Sequence, residues 1–121
     1  MLRYLLPVIL VLLSACGKDT ASPNVIGTWQ YSDDRLLTHM TYRSDKTFET
    51  DVTLNGKYLG KASGVWTITG DTIDYVYTVS GLERIPVGTK DRDVVASATP
   101  EKIVLKNAGD NYLNYYKVDP Q

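Results

Sequence analysis

Thr47-Phe48-Glu49-Thr50-Asp51-Val52-Thr53-Leu54-Asn55-Gly56 decides the fold. Phe48, Thr50, Val52 and Leu54 fall on one side of an extended chain, and Thr47, Glu49, Asp51 and Thr53 on the other. A period of two, apolar on one side only, is the pattern of a half-buried strand. Asn55-Gly56 then supplies two residues that tolerate positive φ, the strongest short signal for a two-residue hairpin. The chain must turn back on itself, so residues 57–69 are expected to pair antiparallel with 47–54. Gly60 and Gly64 lie inside that return strand and mark a bulge or sharp bend.

Moving towards the C-terminus, the same logic repeats. Gly64, Trp66 and Ile68 share a face, and Gly70-Asp71 makes a second tight turn. Residues 72–80 form the next strand, with Ile73, Tyr75, Tyr77 and Val79 on one side. Residues 81–90 are irregular, and Pro86 argues against a central strand there. Residues 91–98 read as a strand, Thr99-Pro100-Glu101 as a turn, and 102–106 as a short strand carrying Ile103 and Leu105. Asn107-Ala108-Gly109-Asp110 turns the chain into a last strand, 111–118, where Tyr112, Asn114, Tyr116 and Val118 are in phase and Tyr115 is opposite. Moving towards the N-terminus, 37–43 alternates, Ser44-Asp45-Lys46 is a turn by composition, and 25–31 is a strand ended by Asp33-Asp34-Arg35.

No stretch after residue 24 sustains a helical period. Eight sequential strands with short turns make a meander, and closing it removes both exposed edges. The expected fold is all-β, an antiparallel up-and-down barrel of about eight strands over residues 25–119. Eight strands enclose a space that side chains can fill or that can hold one small ligand.

Composition narrows the function. The formal charge is −1 over 121 residues, without the basic face that nucleic acid requires or a polybasic patch for anionic lipid. Cys16 is the single cysteine and His39 the single histidine, which excludes an internal disulfide and a Cys/His metal cluster. The pairs Asp91/Asp93 and Asp33/Asp34 offer carboxylate oxygens of the kind calcium takes, without the spacing of a calcium loop. Glu49 and Asp51 alternate with an apolar face and are expected in solvent. Nothing around His39 suggests an activated nucleophile, and no glycine loop would cradle phosphate. The chain is therefore expected to be no enzyme and to carry no cofactor or metal. Tyrosine is abundant, nine residues against one phenylalanine, and can line a cavity with an apolar body and a hydroxyl tip.

The N-terminus places the protein. Arg3 precedes an apolar run, residues 5–13, broken only by Pro7. It is too short to span a bilayer, which takes about 20 apolar residues, and has the layout of a secretory signal. Leu13-Ser14-Ala15-Cys16 resembles the lipobox of bacterial lipoproteins. That resemblance implies a signal peptide over 1–15, acylation of Cys16 by diacylglyceryl and then by a fatty acid such as palmitate, and a polar tether over 16–24. Gly17, in place of a retention aspartate, leans towards the outer membrane of a bacterial envelope.

A second resemblance covers the domain. Gly27-Thr28-Trp29 resembles the Gly-x-Trp signature opening the first strand of lipocalins. Ser44-Asp45-Lys46-Thr47-Phe48 and the stretch from Gly64-Val65-Trp66 through Gly70-Asp71 to Ile73 are similar to short lipocalin-like domains of bacterial lipoproteins. The resemblance implies that Trp29 packs across the closed end of a barrel. The chain is shorter than a typical lipocalin and lacks the helix that follows the barrel there. The expected function is an envelope-anchored barrel, in the periplasm or on the cell surface, binding a small apolar or amphipathic ligand among Trp66, Tyr75, Tyr77, Tyr112 and Tyr116. The alternative is a filled barrel that contacts an envelope protein through a strand edge or loops, above all 81–90 with Leu82, Ile85 and Val87.

Overall fold

A computed structural model describes residues 21–118; Cys16, the signal segment, most of the tether and residue 119 lie outside them. The strands are β1 (Gly27–Ser32), β2 (Leu36–Tyr42), β3 (Thr47–Leu54), β4 (Lys57–Thr69), β5 (Thr72–Ser80), β6 (Lys90–Ala98), β7 (Lys102–Lys106) and β8 (Tyr112–Val118). Each pairs antiparallel with the next, and β8 returns to β1 through Gln30↔Tyr116 and Thr28↔Val118, closing an eight-stranded barrel. Closure gives every strand a partner on both sides, which shortens the edge open to the strand-edge contact expected as an alternative.

The alternation in each strand selects what goes inside. Met40 and Tyr42 from β2, Phe48 from β3, Trp66 from β4, Ile73, Tyr75 and Tyr77 from β5, and Ile103 and Leu105 from β7 are all buried. Two threonines share this interior. Thr38 Oγ1 donates to the Asp51 carbonyl at 2.6 Å and Thr50 Oγ1 to the His39 carbonyl at 2.8 Å, so neither hydroxyl is orphaned.

Antiparallel order gives the barrel two unlike ends. The chain enters at the lower end, beside turns 43–46, 70–71 and 99–101. Two tryptophans plug it. Trp29 is 1% exposed and its Nε1 donates to the Val25 carbonyl at 2.9 Å. Trp66 Nε1 donates to the Thr47 carbonyl at 3.0 Å. A lysine covers each ring, Lys117 Nζ 4.4 Å above Trp29 and Lys46 Nζ 4.3 Å above Trp66. The upper end carries turns 33–35, 55–56 and 107–111, together with loop 81–89.

Bulges interrupt the ladders where the glycines predict them. Register shifts opposite Gly60, between Val52 and Thr53, and again at Ser63/Gly64. At Gly64 an added Cβ would collide with the Val76 carbonyl oxygen, so the two backbones can approach there only with glycine. This second bulge adds one residue to β5 between Tyr77 and Val79. It reverses the phase, and Val79 is exposed rather than inward with Ile73, Tyr75 and Tyr77. The first bulge does the same on β4, exposing the consecutive residues Tyr58 and Leu59.

β8 faces the other way from the expected arrangement. Tyr112 and Tyr116 are 63% and 53% exposed, while Tyr115 is buried. Register explains it: Leu113 pairs with Leu105 and Tyr115 with Ile103, and those partners point into the core. Loop 81–89 is also less open than its sequence suggests. Leu82 is buried and Ile85 packs on the core, leaving Val87 exposed.

Candidate functional site

Lysine-covered tryptophans seal the lower end, and aromatic edges fill the middle. Phe48 meets Tyr75 and Tyr77 edge-on at 5.3 and 5.1 Å, and Trp66 meets Tyr42 at 5.3 Å. β6 differs, because it brings carboxylates to the side that faces the core. In Asp91-Arg92-Asp93 the strand alternation sends Arg92 outward, where its Nε binds Asp74 Oδ1 at 2.7 Å. Asp93 pairs across the ladder with Ile73 and Asp91 with Tyr75, so both acids lie on the inward side of β6, Asp93 half-buried and Asp91 exposed near the start of the strand.

Asp93 Oδ2 accepts the Tyr75 hydroxyl at 2.8 Å. Tyr75 gives its proton there, so Tyr42, 2.5 Å away, donates to the Tyr75 oxygen. A relay Tyr42→Tyr75→Asp93 thus runs up the inside of the barrel. Burial pushes the Asp93 carboxyl up to about 6, against the opposing pull of the Tyr75 hydrogen bond and with help from the Asp91 charge. Among the described residues, neither Asp91 nor Asp93 belongs to any of the five ion pairs.

Two further tyrosines converge on these acids. Tyr77 is 6% exposed and Tyr115 is 8% exposed. Burial, then the charges of Asp91 and Asp93, push Tyr77 up to about 12. The same causes, burial first and then Asp93, raise Tyr115. The Tyr31 ring lies 5.7 Å from that of Tyr115, and its hydroxyl turns out to Asp33 at 2.9 Å. Neither the Tyr77 nor the Tyr115 hydroxyl has a hydrogen-bond partner among the described residues. Yet no fully buried side-chain oxygen or nitrogen there lacks one. Both hydroxyls therefore touch solvent while their rings are enclosed. Two phenols and two carboxylates thus meet below loop 81–89, where Asp91 is exposed and the Tyr77 backbone bonds to Gly88 and Thr89; this cluster is the mouth.

The five residues singled out from sequence do not form one pocket. Trp66 belongs to the lower plug, and Tyr75 is committed to the relay. Tyr77 reaches the mouth. Tyr112 and Tyr116 sit on the outer wall, Tyr116 with Lys102 Nζ 5.6 Å from its ring. Tyr115, Tyr31 and Asp93 were missed as site residues, although the inward/outward spacing of Asp91 and Asp93 was readable. No group of three or more His, Cys, Asp and Glu among the described residues could hold a metal ion. His39 lies on the outer wall with both ring nitrogens occupied, Nδ1 by Asp51 at 2.9 Å and Nε2 by Gln30 at 3.1 Å. A half-open cleft of about 280 Å³ lies at the lower end between Pro23, Ile26, Pro100 and Lys117.

Comparison with solved structures places the fold. The chain is similar to a lipocalin-like protein from Bacteroides uniformis ATCC 8492, with a TM-score of 0.58 and 16% identity, over 78% of this chain and 98% of that one. A protein from the same organism solved by NMR matches with a TM-score of 0.56 and 16% identity, over 86% of this chain and 99% of that one. An uncharacterized protein from Bacteroides eggerthii DSM 20697 matches with a TM-score of 0.54 and 14% identity, over 77% and 99%. No family model matches the chain, and no curated protein matches it. The architecture is lipocalin-like.

Proposed function

We propose that this is a membrane-anchored bacterial lipoprotein whose lipocalin-like barrel binds a small amphipathic ligand at its upper mouth. The observation that carries the reading is the pair Tyr77 and Tyr115, enclosed rings whose unpartnered hydroxyls open to solvent beside Asp93. Ligand sites combine apolar walls with a few convergent polar groups and perturbed carboxyls. The mouth has all three, whereas the filled middle of the barrel has no room. The ligand is therefore held at the rim and penetrates only partly.

The anchor supports this orientation. Eight residues lie between Cys16 and Val25, a reach of at most about 30 Å. The lower end, where the chain enters, is tethered close to the membrane, and the mouth points away from it.

Native mass spectrometry of the full mature protein, released from its own envelope in mild detergent, tests the reading. A retained adduct of defined mass, lost on Tyr115→Ala, is the expected result. A bare protein at every detergent strength contradicts it. The second reading, a protein partner, draws on the exposed Tyr58 and Leu59 beside the upper rim. It predicts a crosslinked envelope protein in cells that disappears with Tyr58→Ser and Leu59→Ser.

A further inference from the structure

We propose that the ligand of the mouth is a small organic cation, a primary amine in its ammonium form, held between Asp93 and Asp91 with the Tyr77 and Tyr115 hydroxyls as additional acceptors. This rests on the mouth being the binding site and names the chemistry that it selects.

The first argument is charge. Asp93 is largely enclosed and has no cationic partner among the described residues; Asp91, one inward position along β6, is exposed and likewise belongs to no ion pair there. Buried carboxylates are ordinarily paired, because an isolated one costs several kcal/mol of solvation. The charge that bears on Asp93 is that of Asp91, of the same sign, its hydrogen-bond partner Tyr75 is a neutral phenol, and the neighbouring Arg92 is turned outward to Asp74. The mouth is a negative site that its own chain leaves uncompensated. An anionic ligand would be repelled there, and a neutral one would leave the charge unmatched.

The second argument is hydrogen-bond geometry. An ammonium group has three donors and no acceptor. Asp93 uses Oδ2 for Tyr75 and keeps Oδ1 for another donor. Asp91 adds a second carboxylate one inward position along β6. The Tyr77 and Tyr115 oxygens, without partners of their own, supply the third acceptor. The aromatic faces of Tyr31 and Tyr115, 5.7 Å apart, favour a cation at their edge of the site. A metal ion suits the mouth less well, since the described residues offer two acids here and no third acidic, histidine or cysteine ligand.

The test is calorimetric titration of the full protein in detergent with three probes of one shape: phenethylamine, 2-phenylethanol and phenylacetate. Phenethylamine should bind saturably and at least about tenfold more tightly than the alcohol, the weight of a hydrogen-bonded charge pair, and phenylacetate should not bind. Asp93→Asn should abolish the preference for the amine. Tyr115→Phe keeps the ring, loses the hydroxyl and should weaken amine binding several-fold. Asp74→Asn, on the outer wall, should leave it unchanged. Equal binding of amine and alcohol, or an amine preference that survives Asp93→Asn in a protein with wild-type circular dichroism, overturns the inference. Failure of phenethylamine, hexylamine and spermidine to bind at all overturns it too. A neutral or acidic adduct in the native mass spectrum would sink the amine and leave the mouth standing. A bare mass would remove both.

Discussion

Asp93→Asn should make the free protein more stable at neutral pH. The carboxyl moves from an ordinary value of 3.8 to about 6 on folding, chiefly because burial penalises its charge. At 1.36 kcal/mol per unit, the two-unit rise corresponds to up to about 3 kcal/mol. The folded state holds this proton more tightly than the unfolded chain. Its contribution is therefore fully present below the unfolded value near 4, falls as pH rises through 4 to 6, and is gone above that. The groups facing Asp93 leave the window clean. Asp91 sharpens the rise, and Tyr75, Tyr77, Tyr42 and Tyr115 are all raised and stay neutral. Asp33 and Asp45, by contrast, are lowered by hydrogen bonds at their turns, Asp33 by the Arg35 and Leu36 N–H groups and Asp45 by Thr47. They contribute above their unfolded value and lose it at more acid pH, outside this window. Asparagine keeps the side-chain shape and still accepts the Tyr75 hydroxyl, without the charge. Urea unfolding at pH 4.5, 6 and 8 measures the effect. The variant should gain up to about 3 kcal/mol at pH 8, or roughly 10 °C in Tm for a domain of this size, and only about 1 kcal/mol at pH 4.5. A variant less stable than wild type at pH 8, or a wild type that gains stability between pH 4.5 and 6.5, would refute the reasoning.

The inverted last strand gives a direct contrast: Tyr115→Ala should cost about 3 kcal/mol or more as a cavity in the core, while Tyr112→Ala and Tyr116→Ala should stay within about 0.5 kcal/mol, all read from denaturant melts. Gly64→Ala drives a methyl group into the Val76 carbonyl and should destabilise by roughly 3 kcal/mol through the forced backbone shift; a loss under about 0.5 kcal/mol would show that the strands are not that close. Cys16→Ser should leave an unprocessed, unlipidated precursor, visible as a mass shift and as loss from the membrane fraction; normal processing would remove the anchor from the account.

The barrel was legible because its turns are written in small residues at fixed intervals. Asn55-Gly56 and Gly70-Asp71 place β3, β4 and β5 residue by residue, and 47–54, 72–80 and 102–106 coincide with the observed strands. Absolute facing was harder to read. Alternation in 111–118 says that Tyr112 and Tyr116 agree with each other, not which side is the core; only the pairing with Ile103 and Leu105 decides that. Val79 was misplaced for a related reason, since one extra residue at the Gly64 bulge reverses every side chain beyond it. The mouth was hidden for a third. Asp91 and Asp93 look like solvated acids at the start of a strand until β5 is laid beside them, and then Asp93 is half-buried on the inward side while Asp91 stays exposed. Loop 81–89 reads as an irregular contact segment offering Leu82, Ile85 and Val87, yet Leu82 and Ile85 fold down onto the core.

Selective ¹³C labelling of the tyrosine rings, followed by NMR of the full protein in detergent as phenethylamine is added, tests the central claim most directly. The account predicts that the Tyr77 and Tyr115 ring signals move together and saturate, while those of Tyr112 and Tyr116 on the outer wall stay where they are. Movement of the outer-wall rings alone, or of none, would contradict an amine held at the mouth of the barrel.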